Sequence, residues 1–289
     1  MKLWESYTLN KIFSKVQSRF LSGHYKIGGT VHSLKKNNQN NIVVSLTSFT
    51  PRLEKLYISL GSIFNQSMQP NKVILYLGSD VNMEKLPSSL TRFCKYGLEI
   101  KHVDDLKSHK KYFYAFQEYK DSLIITVDDD LIYHKNMIKK LYQTYMKYPE
   151  CICAMRTHEI IYDNSGAPRL YGEWVKNSKR YDEPSFDLFF TSGAGTLFSP
   201  RLFDERVIDL NAIKQYCFTA DDIWLNCMCR LAGTRIVNVK LTDYERRLVT
   251  VSGTQEVALK HHNLYSGNDV CIENMIKQYG IASVNGELK

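Results

Sequence analysis

Three adjacent carboxylates, Asp128-Asp129-Asp130, follow a short apolar segment from Leu123 to Val127 that is rich in β-branched residues. This composition predicts a strand buried on both faces. In an open α/β sheet, ligands bind at the carboxyl ends of the strands, so the acids are placed to contact one. Because like charges repel, something positive should lie beside them. Mg²⁺ or Mn²⁺ carrying a substrate's phosphates would meet that need.

A second acidic pair, Asp221-Asp222, opens a segment with the apolar spacing of a helix, which ends at Gly233. Asp is a good N-cap and suits the first turn of a helix. The same explanation is open for the acids at 128–130, which precede a predicted helix. A capping turn also fixes the direction of a side chain, so a structural and a chemical role are compatible in one residue.

The elements around these acids alternate between strand and helix. This order predicts parallel βαβ units and an α/β fold, with a mostly parallel sheet flanked by helices. A further strand from Cys151 to Arg156 is consistent with that fold. The predicted strands are Ile42 to Leu46, Val73 to Leu77, Leu98 to Val103 and Leu123 to Val127, and the predicted helices are Glu54 to Gln66, Lys111 to Tyr119 and Asn136 to Tyr148.

Three further segments could contact a ligand. The run from Lys107 to Tyr112 is the most basic stretch inside the domain, and lysines at a helix start can bind phosphate. A solvated surface run is the alternative. The segment from Thr191 to Thr196 holds two glycines, which let a backbone approach a ligand closely, although a plain tight turn would look the same. The irregular stretch from Tyr162 to Pro184 is typical of a binding loop or lid.

The D-x-D spacing of Asp128 and Asp130 at a strand end resembles the metal motif of GT-A-fold glycosyltransferases. The order of elements across residues 41–140 resembles the nucleotide-binding half of family 2 of those enzymes, which carry a segment similar to Ser62-Ile63-Phe64-Asn65-Gln66. The resemblance implies a GT-A, Rossmann-like fold. It also implies that Asp130 binds Mn²⁺ or Mg²⁺ and that Asp128 contacts the metal or the ribose.

The same resemblance assigns residues to the nucleotide. Either Asp104 or Asp105, after the third strand, would face the uracil or the ribose. The chain departs from the family at Leu77-Gly78-Ser79-Asp80, where an Asp-rich strand end is usual, so the residue that contacts the base is left open. The implied donor contacts are Thr47, Ser48, Arg52, Asp104, Lys107, Lys111, Asp128 and Asp129.

Asp221-Asp222 resembles the Glu-Asp segment of the inverting enzymes of this fold. In that segment an aspartate acts as the general base on the acceptor hydroxyl. An ungapped match from Thr219 places it at Asp221, which is the preferred candidate, and a shift of one residue would place it at Asp222 instead. Many of these enzymes complete the metal site with a late histidine, for which His262 or His261 is the candidate. A surface or packed histidine is the alternative. The implied reaction is inverting transfer from a UDP-sugar to a glycan or lipid-linked acceptor in surface-polysaccharide synthesis.

Two other classes of function compete with this one. Phosphatases of the haloacid dehalogenase type also place acids at a strand end and use Mg²⁺, but their motif normally begins the domain, whereas Asp128 follows three strands. A glycan-binding module that keeps the fold without the chemistry would need neither acidic pair. Nucleic-acid binding is excluded by the lack of a basic, aromatic face or a reader motif.

The charge of the chain predicts its organisation. Residues 1–36 hold seven Lys or Arg and one Glu, which is +6 of the net +8. The basic, loosely amphipathic pattern of residues 3–21 predicts an interfacial helix on anionic lipid, or a helix packed on the protein itself. We expect an arm and linker at 1–40, a GT-A domain at 41–280 (nucleotide-binding half 41–135, acceptor half 136–280) and a tail at 281–289. Without a membrane-spanning run or signal peptide, a cytoplasmic protein is expected, and the basic arm predicts peripheral binding at the inner face of the membrane.

Overall fold

The strands in the described part of the chain form one large sheet and two small ones. The computed structural model describes residues 16, 19–20, 23–24, 31–34, 41–242, 249–254 and 267–280. Its strands are β1 (Ile42–Ser48), β2 (Lys72–Leu77), β3 (Leu98–His102), β4 (Leu123–Val127), β5 (Leu131–Ile132), β6 (Cys151–Ala154), β7 (Thr157–Glu159), β8 (Leu188–Phe190), β9 (Ala194–Phe198), β10 (Arg235–Asn238) and β11 (Val249–Thr250). The seven-stranded sheet has the order β10-β6-β9-β4-β1-β2-β3.

This sheet is mostly parallel. The neighbours β3, β2, β1 and β4 run parallel to one another, and β10 runs parallel to β6. Only β9 is reversed within it, since it pairs antiparallel with both β4 and β6. The predicted α/β class with a mostly parallel sheet flanked by helices is therefore confirmed. The predicted glycine loop is shorter than expected, because β9 already begins at Ala194.

Helices cover both faces of the sheet. The described α-helices of four or more residues are α1 (Leu56–Phe64), α2 (Ser88–Thr91), α3 (Lys110–Glu118), α4 (Met137–Lys147), α5 (Leu210–Tyr216), α6 (Asp221–Leu231) and α7 (Asn268–Tyr279). The helix predicted from Glu54 is α-helical only from Leu56, since a 3-10 turn with Pro51 near its start precedes it. The predicted helix after the acidic motif agrees with α4 to within one residue at each end.

The alternation of side chains along β1 divides the core into two layers. Val44 and Leu46 pack into the cluster that holds α1 and α4, whereas Val43 packs into the cluster that holds α3 and α6. Trp224 of α6 is fully buried in the second cluster. Burial on both faces explains why these strands are almost continuously apolar.

Several sequence predictions fall on residues that the structure does not describe. Most of the basic arm and the whole tail at 281–289 are among them, so the domain boundaries stay predictions. Within the described part of the chain, no helix combines the length and apolar character needed to cross a bilayer. All seven cysteines are unpaired thiols.

Candidate functional site

One face of α1 holds the backbone of the acidic motif in place. Ser59 donates through Oγ to the carbonyl oxygen of Asp129 at 2.8 Å. The amide of Tyr133 donates to Ser62 Oγ at 3.1 Å, and Gln66 Nε2 donates to the carbonyl oxygen of His134 at 2.9 Å. Ser59 and Ser62 are three positions apart and so project from one side of α1, and Gln66 follows two residues after the end of that helix. These hydrogen bonds explain why the segment from Ser62 to Gln66 carries polar residues.

The middle acid of the motif faces the protein. Asp129 accepts from Ser48 Oγ at 2.6 Å and from Arg52 Nη1 at 2.5 Å. Arg52 also lies 3.1 Å from Asp130 Oδ2, with 11% of its side chain exposed. Burial raises the pKa of Asp129, an effect that Arg52 and Ser48 oppose. Thr47 instead donates to the carbonyl oxygen of Tyr76 at 2.8 Å, on the neighbouring strand.

Lys111 joins the two acidic motifs. Its Nζ lies 2.9 Å from Asp128 Oδ1 and 3.0 Å from Asp221 Oδ2, with only 5% of the side chain exposed. Burial by itself lowers the pKa of Lys111, but Asp128 and Asp221 outweigh it, with Asp222 adding to their effect, and the net shift is upward. The ammonium group therefore stays charged.

The positive charge expected beside the three acids thus comes partly from the protein itself, through Arg52 and Lys111. No group of three His, Cys, Asp or Glu side chains with metal-binding geometry occurs among the described residues, and His261 and His262 lie outside them. Asp128 nevertheless keeps 37% of its side chain exposed. Two carboxylates, with phosphate oxygens and water, form a donor set that Mg²⁺ often takes, so Asp128 and Asp130 fit a cation that arrives with a diphosphate.

Ser192 lies between the two acids of the second motif. Its Oγ is 2.8 Å from Asp221 Oδ2 and 2.5 Å from Asp222 Oδ1, and its amide donates to Asp222 Oδ1 at 2.8 Å. A hydroxyl has one hydrogen, so it can donate to only one of these carboxylates. When Asp222 holds a proton, it can donate to Ser192 Oγ while that hydroxyl donates to Asp221.

The environments of these acids drive their pKa values apart. Burial opposes ionisation of Asp221, but the adjacent Lys111 dominates with help from Ser108 and Ser192, and lowers its pKa to about 2. Burial, together with the charge of Asp221, raises the pKa of Asp222 to about 6. Asp221 is buried whereas Asp222 is partly exposed. Two neighbouring carboxylates with separated pKa values are typical of acid–base sites.

The turn before β9 packs directly on the first motif. A Cβ atom at Gly193 would lie 1.8 Å from Asp128 Oδ2. The hydroxyl of Tyr133 accepts from the amide of Asp128 at 2.6 Å and donates to the carbonyl oxygen of Gly193 at 2.6 Å. The predicted glycine segment therefore contacts the acidic motif, although composition alone did not identify Ser192 or Tyr133.

His109 fixes the segment before α6 to the start of α3. It is fully buried, and its Nε2 lies 2.9 Å from the carbonyl oxygen of Cys217. Because a carbonyl can only accept, Nε2 carries the hydrogen and Nδ1 accepts from Tyr112 Oη at 2.8 Å. Burial lowers the pKa of His109 to about 4, so the ring is neutral at physiological pH.

The loop after β3 forms a separate charged group. Asp105 pairs with Lys110 and, at 3.2 Å, with Lys107. Asp104 and Lys107 are exposed, and Lys107 has a φ of 52°, which is uncommon for a lysine. The predicted basic stretch is thus divided, since Lys110 and Lys111 are buried.

The structure brings together Ser48, Arg52, Lys111, Asp128, Asp129, Asp130, Asp221 and Asp222, whereas Thr47, Asp104 and Lys107 contact other groups.

No protein-family model matches the chain, and no curated protein matches it. Solved structures similar to it include residues 1–349 of TarS from S. aureus, at 13% identity and a TM-score of 0.47, over 70% of this chain and 58% of that one. A mannosyltransferase from Pyrobaculum calidifontis in complex with GDP-Man and Mn²⁺ has 11% identity and a TM-score of 0.47, over 89% and 70% of the two chains. A 4-diphosphocytidyl-2C-methyl-D-erythritol synthase has 10% identity and a TM-score of 0.46, over 79% of this chain and 99% of that one.

Proposed function

We propose that this chain is a glycosyltransferase that uses a nucleotide-sugar donor, a divalent cation and a general base. The observation that carries the proposal is that buried Lys111 forms ion pairs with both Asp128 and Asp221. These contacts bring the two acidic motifs together at the carboxyl end of β4. One motif then serves the donor and the other the acceptor, side by side. This place in an open α/β sheet is where ligands bind.

On the donor side, Asp130 and Asp128 would hold Mn²⁺ or Mg²⁺. When bound, the cation would neutralise charge that develops on the leaving diphosphate. Ser48 and Arg52 keep Asp129 turned inward, which leaves Asp128 as the partly exposed acid of the motif. Thr47, Asp104 and Lys107 remain our proposed nucleotide contacts, with a UDP-sugar as the proposed donor.

On the acceptor side, we assign the base to Asp222 and not to Asp221. Asp221 has a strongly lowered pKa and is held by Lys111, so it is a weak base. Asp222 has a pKa of about 6 and is more exposed. A general base is most effective when its pKa lies near the working pH.

In the proposed step, the acceptor oxygen forms a bond to the anomeric carbon as the bond from that carbon to the diphosphate oxygen breaks. The hydroxyl proton passes to Asp222, and the nucleoside diphosphate leaves with the electron pair. Attack from the face opposite the leaving group gives inversion. The acceptor class proposed from the family resemblance is a glycan or a lipid-linked sugar of a surface polysaccharide.

The test is nucleotide release from a panel of UDP-sugars and GDP-mannose, with Mn²⁺ and with EDTA. We expect slow release from at least one donor with Mn²⁺, loss of that release in EDTA, and loss in Asp130→Asn. Release of inorganic phosphate instead would favour the phosphohydrolase. Binding of sugars without any release of nucleotide would favour the glycan-binding module.

We also propose that the basic residues 1–36 attract the chain to anionic membrane from the cytoplasmic side, where a lipid-linked acceptor would be found. The net charge of +6 in this segment supports the proposal. Sedimentation with vesicles of phosphatidylglycerol, compared with vesicles of phosphatidylcholine, tests it. Equal sedimentation of the protein with the two kinds of vesicle, or no sedimentation with either, would contradict the proposal.

A further inference from the structure

An exposed apolar patch lies on the irregular segment between β7 and β8 and on the start of α7. Leu170 is 60% exposed, Val175 is 47% exposed and Val270 is 52% exposed. Outside residues 16 and 20, the other exposed large apolar side chain of the described chain is Met146 of α4. Apolar side chains scattered singly on a surface are normal, but three of these four occur in one region.

A contact between the segment and α7 brings the three side chains of the patch together. The amide of Tyr171 donates to Asp269 Oδ1 at 2.7 Å. Leu170 precedes the first of these residues and Val270 follows the second, so the two apolar residues are also near each other. One 3-10 turn and one further residue separate Leu170 from Val175 along the chain. The patch is therefore one part of the surface.

The charges that flank the patch are mainly positive. Positions 164–181 hold four Lys or Arg and a single Glu. That acid, Glu173, pairs with Arg169 at 3.4 Å. Lys176 and Lys179 are exposed, and neither forms an ion pair with a carboxylate of the described residues. The unpaired charges of this segment are thus positive.

Exposed aliphatic side chains among unpaired lysines are the pattern of a segment that lies in the interface of an anionic membrane. The aliphatic side chains enter the boundary between the lipid headgroups and the acyl chains. The ammonium groups stay at the level of the headgroups, whose negative charge attracts them. The apolar patch and its positive border therefore fit one kind of partner, an anionic phospholipid surface.

The patch borders the acceptor side of the candidate site. Tyr171 packs on Phe189 of β8, with ring centroids 5.8 Å apart. The amide of the next residue, Phe190, donates to Asn226 Oδ1 at 3.0 Å, and Asn226 Nδ2 donates to the carbonyl oxygen of Asp222 at 2.7 Å. Burial raises the pKa of Tyr171, and the charge of Asp222 adds to this rise. A membrane on the patch would consequently lie beside the proposed base.

We propose that Leu170, Val175 and Val270 dock on the surface of an anionic phospholipid membrane and direct the acceptor side of the site toward it. The role of this membrane as the source of a lipid-linked acceptor rests on the proposed glycosyltransferase function. The docking surface itself does not. The proposal goes beyond attraction of residues 1–36, because it assigns the face of the folded domain that meets the bilayer.

Fluorescence of Leu170→Trp tests the docking surface in the whole chain. The probes are vesicles of phosphatidylglycerol with brominated acyl chains, since bromine quenches a tryptophan that reaches those chains. We expect stronger quenching in Leu170→Trp than in the wild type, whose three tryptophans supply the background. Met146→Trp is the matched control, because Met146 is 62% exposed and lies on α4, outside the patch. Its emission should fall no more than that of the wild type.

A second pair of variants measures how much the patch contributes to membrane binding. Leu170→Ser keeps the charge of the chain and should bind phosphatidylglycerol vesicles about tenfold more weakly, because a leucine no longer enters an apolar phase. Met146→Ser should bind these vesicles like the wild type. Both variants should melt at the wild-type temperature, since both side chains are mostly exposed.

Equal vesicle binding by Leu170→Ser and Met146→Ser, or equal quenching of the two tryptophan variants, would overturn the proposal. Self-association of the chain that Leu170→Ser abolishes, without quenching of Leu170→Trp, would overturn it in favour of an interface between two copies. Quenching of Leu170→Trp without release of nucleotide from any donor would retain the docking surface and overturn the proposed function. Release of nucleotide without quenching would do the reverse.

Discussion

Gly193 and Asp128 are so close that the space between them cannot hold another carbon atom. A Cβ at Gly193 would lie 1.8 Å from Asp128 Oδ2 and 2.0 Å from its Cγ. The backbone of Gly193 is not in the left-handed region, so the requirement is for space and not for an unusual conformation. Any larger residue here must move the carboxylate that Lys111 holds.

Gly193→Ala should therefore weaken binding of UDP in the presence of Mn²⁺ by about tenfold or more, which corresponds to about 1.4 kcal/mol. Titration calorimetry measures this change. Gly172→Ala is the control, because a Cβ at Gly172 meets nothing within 4 Å. Equal affinities of the two variants would show that the Asp128 carboxylate does not contribute to binding from the position seen here.

Lys111→Met should destabilise the protein by roughly 3–5 kcal/mol, because it leaves buried carboxylates without their counter-charge. Urea denaturation measures the free energy of unfolding. Adding Asp221→Asn to Lys111→Met should restore part of the loss. Lys72→Met is the control, since Lys72 and Glu99 form a pair whose side chains are about 40% exposed, and removing such a pair should cost less than about 1 kcal/mol. Similar losses in both lysine variants would contradict the account of Lys111.

The pH dependence of transfer tests the assignment of the base. Since the base must be ionised, activity should rise with pH up to about 6, the pKa of Asp222, and then level off. Asp221→Asn removes the neighbouring negative charge that raises this pKa, so the acidic limb should move to lower pH. Asp222→Asn should abolish transfer and leave UDP binding intact. An acidic limb that stays in place in Asp221→Asn would argue against Asp222 as the base.

The same pKa shift makes a prediction about stability. The folded-state pKa of Asp222 lies above its ordinary value of 3.8, so its contribution to stability is full below pH 3.8 and is lost as the pH rises through about 6. Asp222→Asn should consequently gain in melting temperature relative to the wild type between pH 4 and pH 7. A difference in melting temperature between the two proteins that stays constant over this pH range would show that folding does not raise the pKa of Asp222.

The sequence allowed the α/β class and the positions of the first four strands to be predicted, because each strand is a continuous apolar run between polar turns. It also allowed both acidic pairs to be placed at the starts or ends of elements. Their meeting through Lys111 could not be predicted, since it depends on α3 and α6 packing in the same core cluster. The reversal of β9 beside β4 gave no signal in the sequence either. That reversal brings Ser192 and Gly193 onto the carboxylates.

Other contacts escaped prediction because the residue type gave no distinguishing signal. Tyr133 and Ser192 look like ordinary residues of a turn, and only their hydrogen bonds to the acidic motifs and to Gly193 show that their hydroxyl groups matter. Lys111 was assigned to phosphate from its place in a basic run, yet burial separates it from its exposed neighbour Lys107. The candidate metal ligand His262 lies outside the described residues, so its role stays a prediction.

The most direct test of the central claim is a calorimetric titration of UDP into the wild type and Asp130→Asn, each with Mn²⁺ and with EDTA. Asp209→Asn serves as the control, because Asn also caps the helix that Asp209 begins. We predict that the wild type and Asp209→Asn bind UDP only with Mn²⁺ and that Asp130→Asn does not bind it. Equal binding of UDP by Asp130→Asn and the wild type, or no binding by either, would contradict it.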